Sequence, residues 1–171
     1  MTRMDRGVEP PRADGALASA ILQDEHRHID RRLQEYRRRL AAGEAGGAPL
    51  EEATVALRRH IYLEEEYLFP PLVAAGLAAP VTARLEEHGE LWQMLDPLDE
   101  MIVAPTHLDD ARAALDRLRM LLETHGAEEE RVLYPAVDEM LFAAGSRSLR
   151  RHLAMARPFR GWRCDAVRRA R

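Results

Sequence analysis

Apolar residues recur at steps of three and four in four separate stretches of this 171-residue sequence, and each stretch ends at a glycine or proline. That period follows the 3.6-residue turn, so each stretch is expected to form a helix with one apolar stripe. Helix A is expected over 14–42, with Leu22, Ile29, Leu33, Tyr36 and Leu40 in line, ahead of a glycine-rich loop at 43–49. Helix B starts near Leu50 and carries Ala53, Leu57, Ile61 and Leu68; Pro70-Pro71 should kink or end it, with 72–75 adding a turn before Gly76. Helix C begins at Pro80 and carries Val81, Leu85, Trp92, Leu95 and Ile102, with a bend at Pro97. Helix D covers 108–143 with Leu115, Leu118, Leu122, Val132, Ala136 and Met140, and Gly145 is its expected stop. Four such helices on short connections predict an all-α, up-down-up-down antiparallel four-helix bundle over 14–145. A disordered N-terminus at 1–13 precedes it, and a basic C-terminal extension at 146–171 follows.

Polar residues interrupt these stripes in phase. The series Leu57, His60, Glu64, Leu68 and Leu122, His125, Glu129, Val132 both place a His and a Glu on the buried line. His88 falls between Leu85 and Trp92, and His26 between Leu22 and Ile29. Every helix therefore aims an imidazole at the bundle axis, and two also aim a carboxylate. A buried carboxylate without a partner costs several kcal/mol or takes up a proton. A pair of cations neutralises and bonds the whole set. Imidazole with carboxylate suits iron, manganese or zinc, and a bridging carboxylate can hold two ions together.

The pattern also repeats. His60-x-x-x-Glu64 is followed by Phe69-Pro70, His125-x-x-x-Glu129 by Tyr134-Pro135 at the same offset, and Glu25-His26 is echoed by Glu87-His88. The two halves read as one helix pair duplicated about a pseudo-two-fold axis. Outside the set, His28, His107 and His152 fall off the stripes. Asp30, four residues after His26, is an alternative ligand or an acceptor behind one. Glu65, Glu66, Glu128 and Glu130 read as a solvated acidic face, with Glu130 the exception to watch beside Glu129. Tyr62, Tyr67 and Tyr134 read as core or rim aromatics able to ligate or to donate a hydrogen bond, and Trp92 as a core residue near the site.

Composition narrows the setting. No run of about eighteen apolar residues is present to span a bilayer, and no apolar signal core follows the N-terminus. Cys164 is the single cysteine, which excludes an intramolecular disulfide and thiolate-rich metal sites and fits a cytoplasmic location. The extension carries nine arginines against Asp165 alone, while the rest of the chain is acidic. It holds no nucleic-acid recognition motif, so its expected role is to solvate or to pack on its own acidic domain.

The ordered set of Glu25-His26, His60-x-x-x-Glu64 with Leu68-Phe69-Pro70, Glu87-His88, and His125-x-x-x-Glu129 with Tyr134-Pro135 resembles the hemerythrin-like, or HHE cation-binding, family across about 16–143. That resemblance implies a non-haem di-iron centre with an oxo or hydroxo bridge. Glu64 and Glu129 would be the bridging carboxylates, and His26, His60, His88 and His125 the terminal ligands. Oxygen carriers of this kind use a fifth His. Here Arg84 and Trp92 stand four residues either side of His88, and Glu130 stands where a carrier has its terminal Asp. One terminal ligand is missing, which leaves open coordination positions. The expected reactants are therefore dioxygen, peroxide or nitric oxide, with peroxide disproportionation the leading reaction. The alternative is a non-enzymatic iron or oxygen sensor, or an iron store, that signals through the C-terminal tail to a protein partner the sequence does not name.

Overall fold

The computed structural model describes residues 18–44, 47–103, 107–144, 153 and 155–170, without the side chains of 141–144. The expected disorder at 1–13, the stop at Gly145 and His152 lie outside the described residues. All regular structure among the described residues is helical: α1 (Ala18–Ala41), α2 (Ala48–Leu63), α3 (Phe69–Ala74), α4 (Ala78–Val103), α5 (Leu108–Glu128), α6 (Tyr134–Ala144) and a short α7 (Asp165–Arg169). α1 packs along α2, α2 along α4, and α4 along α5, while α5 and α6 return to α1. The stripes meet in the middle. Leu22, Ile29 and Leu33 of α1, Leu50, Leu57 and Ile61 of α2, Leu91 and Leu95 of α4, and Leu115 and Leu118 of α5 are all buried. Each such side chain contributes about 1.5–3 kcal/mol by leaving water.

Helix B passes Pro70-Pro71 and runs on to Ala74, the added turn expected before Gly76. A π-helical turn, Glu64–Leu68, joins α2 to α3, and a second, Glu129–Leu133, joins α5 to α6. In each, an amide bonds the carbonyl five residues back: Phe69 N–H to Glu64 O, and Tyr134 N–H to Glu129 O. The following proline has no N–H, and its ring would clash with the carbonyl four residues back. Widening the turn by one residue takes the carbonyl away from the ring, and such turns cluster at functional sites. The aromatic-Pro repeat is thus the signature of two matched π turns. In α4, the helix continues through Pro97. Pro97 and Gln93, whose carbonyl loses its helical partner, are both exposed.

Candidate metal centre

Each π turn opens on an inward carboxylate, Glu64 or Glu129. Glu64 and Glu65 are both buried, Glu65 beneath the C-terminal segment whose Asp165 amide donates to it. Glu65 therefore leaves the solvated face on which the sequence pattern puts it. His60, His88 and His125 are at most 1% exposed, as are Glu64 and Glu129.

These side chains converge on one point midway along the bundle. His60, Glu64, His125 and Glu129 each offer a ligand atom within 4.8 Å of the others. Glu64 Oε2 lies 3.4 Å from His60 Nε2 and 3.2 Å from His88 Nε2. Glu129 Oε1 lies 3.0 Å from His125 Nε2, and its Oε2 lies 3.4 Å from His26 Nε2. Each carboxylate thus spans imidazoles from both halves. His26 pairs with His60 and His88 with His125, with ring centroids 4.5 and 5.0 Å apart.

Every imidazole is oriented from behind by another carboxylate. His60 Nδ1 lies 3.2 Å from Glu25, His125 Nδ1 2.7 Å from Glu87, His88 Nδ1 2.9 Å from Glu65, and His26 Nδ1 3.2 Å from Glu130. The Glu of each Glu-His dipeptide supports the His of the His-x-x-x-Glu in its own half, and the residue after each inward Glu supports the dipeptide His of the other half. Glu25 and Glu87 are held in turn by Arg59 and Arg84. With Nδ1 donating, each Nε2 presents a lone pair to the centre. His26 Nε2 and His60 Nε2 face each other at 2.9 Å, an arrangement that repels unless a proton or a cation is shared. The aromatic of each aromatic-Pro stacks on an imidazole: Phe69 on His88, and Tyr134 on His26. The Tyr134 hydroxyl donates to Glu64 Oε1 at 3.0 Å and lies 3.3 Å from Glu129 Oε2.

The electrostatics show what the cluster needs. Burial alone would depress the imidazolium pKa of His60 and His88, but the facing carboxylates reverse this and raise both. For His125, burial is opposed by Glu129, Glu87 and Glu64, which together push the value up to about 9. Burial would raise the Glu129 carboxyl, yet the imidazoles of His125, His26 and His60 hold it well below the usual carboxylate range. Burial, then the charges of Glu64 and Glu129, keep the Tyr134 phenol protonated far above its ordinary value. Without an ion, bound protons balance these buried carboxylates. Glu64 Oε2, His88 Nε2, His125 Nε2 and Glu129 Oε1 are all buried with no hydrogen-bond partner. Four orphaned atoms aimed at one point fit a metal site, since buried polar atoms otherwise find partners.

The remaining sequence candidates lie around this cluster. Asp30 accepts from Gln34 and Arg119. The Tyr67 hydroxyl meets that of Tyr62, and Trp92 packs edge-on to Trp162. Asp30, Arg119 and Glu130 line a cavity of about 340 Å³ that ends at His26. Gly126 makes room there, because a Cβ on it would lie 3.1 Å from His26 Nδ1. The supporting roles of Glu25, Glu65 and Glu87 were not assigned from sequence. The repeated Glu-His dipeptide was the available signal, but spacing alone does not show that its Glu reaches across to another helix.

The fold and the site define a helical bundle built to bind metal cations. Residues 17–137 match the family model of the Hemerythrin HHE cation binding domain, and the chain belongs to that family. It is similar to uncharacterized proteins of Mycobacterium bovis and Mycobacterium tuberculosis, at 32% identity over 150 residues that cover 75% of this chain. The match covers 56% of those relatives, so the chain spans little more than half of their length. No solved structure matches.

Proposed function

We propose that this chain is a non-haem di-iron protein that binds or turns over a small oxidant, with peroxide disproportionation to water and dioxygen as its reaction. The observation that carries the reading is the convergence of the four orphaned atoms on Glu64, His88, His125 and Glu129. In this reading the helices form an up-down-up-down antiparallel bundle. His26, His60, His88 and His125 would hold the ions by their Nε2 atoms, and Glu64 and Glu129 would be shared between them. The donor set, imidazole and carboxylate without thiolate, suits iron and also accepts manganese or zinc.

When bound, a pair of irons supplies paired one-electron changes and open positions for a small ligand. The chain supplies the rest. The carboxylates behind each Nδ1 fix the Nε2 lone pairs toward the centre. Phe69, buried and stacked on His88, helps keep bulk water out. Tyr134 keeps its proton and bonds Glu64 Oε1, so it steadies that carboxylate. The cavity beside His26, the most exposed of the four imidazoles, gives dioxygen, peroxide or nitric oxide a way in.

Metal analysis of protein from iron-supplemented medium, with oxygen evolution from peroxide measured against His60→Ala, tests the reading. Iron and oxygen evolution are both expected in the wild type and both lost in the variant. Nil rates in both would remove the disproportionation. Retained iron without turnover would favour the sensor or store, a reading supported by the contact of the C-terminal segment with Glu65.

A further inference from the structure

The C-terminal segment breaks the pseudo-two-fold symmetry of the centre. Trp162 and Cys164 are buried in the bundle's flank. The Trp162 ring meets Tyr62 and Trp92 edge-on, and its indole N–H donates to Glu66 at 2.8 Å. The Asp165 amide donates at 2.7 Å to Glu65 Oε2, and Oε1 of the same carboxylate faces His88 Nδ1 at 2.9 Å. Arg168 adds a charge 3.7 Å from Glu65 Oε2, and the Cys164 thiol lies 3.8 Å from the His88 carbonyl. A Cβ on Gly89 would come within 2.7 Å of Ala166 Cβ, so glycine next to His88 is what admits α7.

We propose that the segment Trp162–Arg168 is a positioning element of the metal centre, rather than only a solvated tail or an output arm. This rests on the metal-centre reading above. The Asp165 amide holds Glu65, Glu65 holds the His88 ring, and the ring aims Nε2 at its ion. Glu130, the residue equivalent to Glu65, has a side chain 40% exposed and pairs among the described residues with His26 alone. The two metal positions are therefore unequal. The His88–His125 position is locked from behind, and the His26–His60 position exchanges more readily through the cavity.

One backbone hydrogen bond carries this proposal, and one substitution removes it. Asp165 is the first residue of α7, where proline is tolerated. Cys164 before it has φ −62° and ψ 157°, the extended conformation that proline requires of its predecessor. Asp165→Pro in the full chain therefore deletes the amide donor with little disturbance of the backbone. Asp165→Ala keeps the donor and drops the carboxylate with its contact to Arg169. Each protein is loaded anaerobically with ferrous iron, and release to a chelator is followed. Loss of an outer partner weakens metal binding by roughly 10–100-fold, so Asp165→Pro should speed the slower phase about ten-fold and Asp165→Ala less than about two-fold. Release from Asp165→Pro at the wild-type rate, or equal acceleration in both variants, would overturn the proposal. A second reading needs no metal. The His88 Nδ1 proton should exchange slowly in the metal-free wild type and faster in Asp165→Pro. Unchanged protection also overturns the proposal, whereas failure of the wild type to take up iron at all would sink the metal-centre reading instead.

Discussion

The two halves of the centre contain matching parts in different surroundings. His60, Glu64, Glu65 and Phe69 correspond to His125, Glu129, Glu130 and Tyr134, and Glu25-His26 to Glu87-His88. Inside the cluster the halves are nearly interchangeable, with an inward carboxylate and a supported imidazole pair on each side. Behind it they diverge. Glu65 has a side chain 2% exposed and is covered by Trp162–Arg168, whereas Glu130 has one 40% exposed on the rim of the cavity at His26. The difference separates two jobs. The duplicated motif sets where cations bind, and residues outside it decide which end is sealed and which is open.

The largest expected effect tests the part in which the halves are equal. Glu64→Ala and Glu129→Ala each remove a carboxylate that faces imidazoles of both halves. Each should abolish retention of both ions, as read by metal analysis after desalting. If either variant keeps both ions, that carboxylate is not a bridge and the symmetry at the centre is only apparent.

The next effect tests where the halves differ. Glu65→Ala strips a buried partner from His88 Nδ1 and from the Asp165 amide, and breaking a buried pair costs about 3 kcal/mol. Glu130→Ala removes a half-exposed partner of His26 and should cost under about 1 kcal/mol. Urea denaturation of the two variants measures the gap. Equal losses would mean that the C-terminal segment seals nothing.

Much of this was legible from residue spacing, and the remainder failed for identifiable reasons. The stripes predicted the helices because burial follows the 3.6-residue period, and the same phase carried His26, His60, Glu64, His88, His125 and Glu129 to one point. The period puts Glu65 on the solvated face because spacing does not show that the C-terminal segment covers it. Trp162 and Cys164 carried no periodic signal, since a segment that docks through single anchors has no repeat to detect. Glu25 and Glu87 were visible as an echo, but their reach across to His60 and His125 depends on helix neighbours, which spacing does not specify.

A pH series on metal-free protein sharpens the comparison from the buried side. His60, His88 and His125 have folded-state pKa values raised by facing carboxylates against the opposing effect of burial, with His125 at about 9. A group raised on folding stabilises below its unfolded value, and that contribution is lost as pH rises through the folded value. The metal-free protein should therefore lose stability between about pH 6.5 and 9. The depressed Glu129 works in the opposite direction, losing its contribution as pH falls through its folded value. Thermal melts across this range should show the alkaline loss without metal and a flatter profile with iron, because the cation replaces the protons. An alkaline loss that persists unchanged with iron bound would mean that the titrating imidazoles are not the ligands.

The smallest effect concerns the one chemical difference inside the duplicated motif. Phe69 stacks on His88 and Tyr134 on His26, but only Tyr134 carries a hydroxyl, and that hydroxyl reaches across the axis to Glu64 Oε1 at 3.0 Å. Tyr134→Phe makes the two aromatics alike while keeping the ring. Glu64 Oε1 then loses its buried donor, which should cost about 1–2 kcal/mol in the metal-free protein. Because burial and the neighbouring carboxylates hold the phenol protonated well above its ordinary pKa, the cost should stay constant up to about pH 10. Urea midpoints of wild type and variant at neutral and alkaline pH give the measurement. A difference that vanishes by pH 9 would mean that the phenol ionises there and that Glu64 is steadied by something else. A variant as stable as wild type at every pH would mean that the cross-axis bond contributes nothing, leaving the two aromatics equivalent after all.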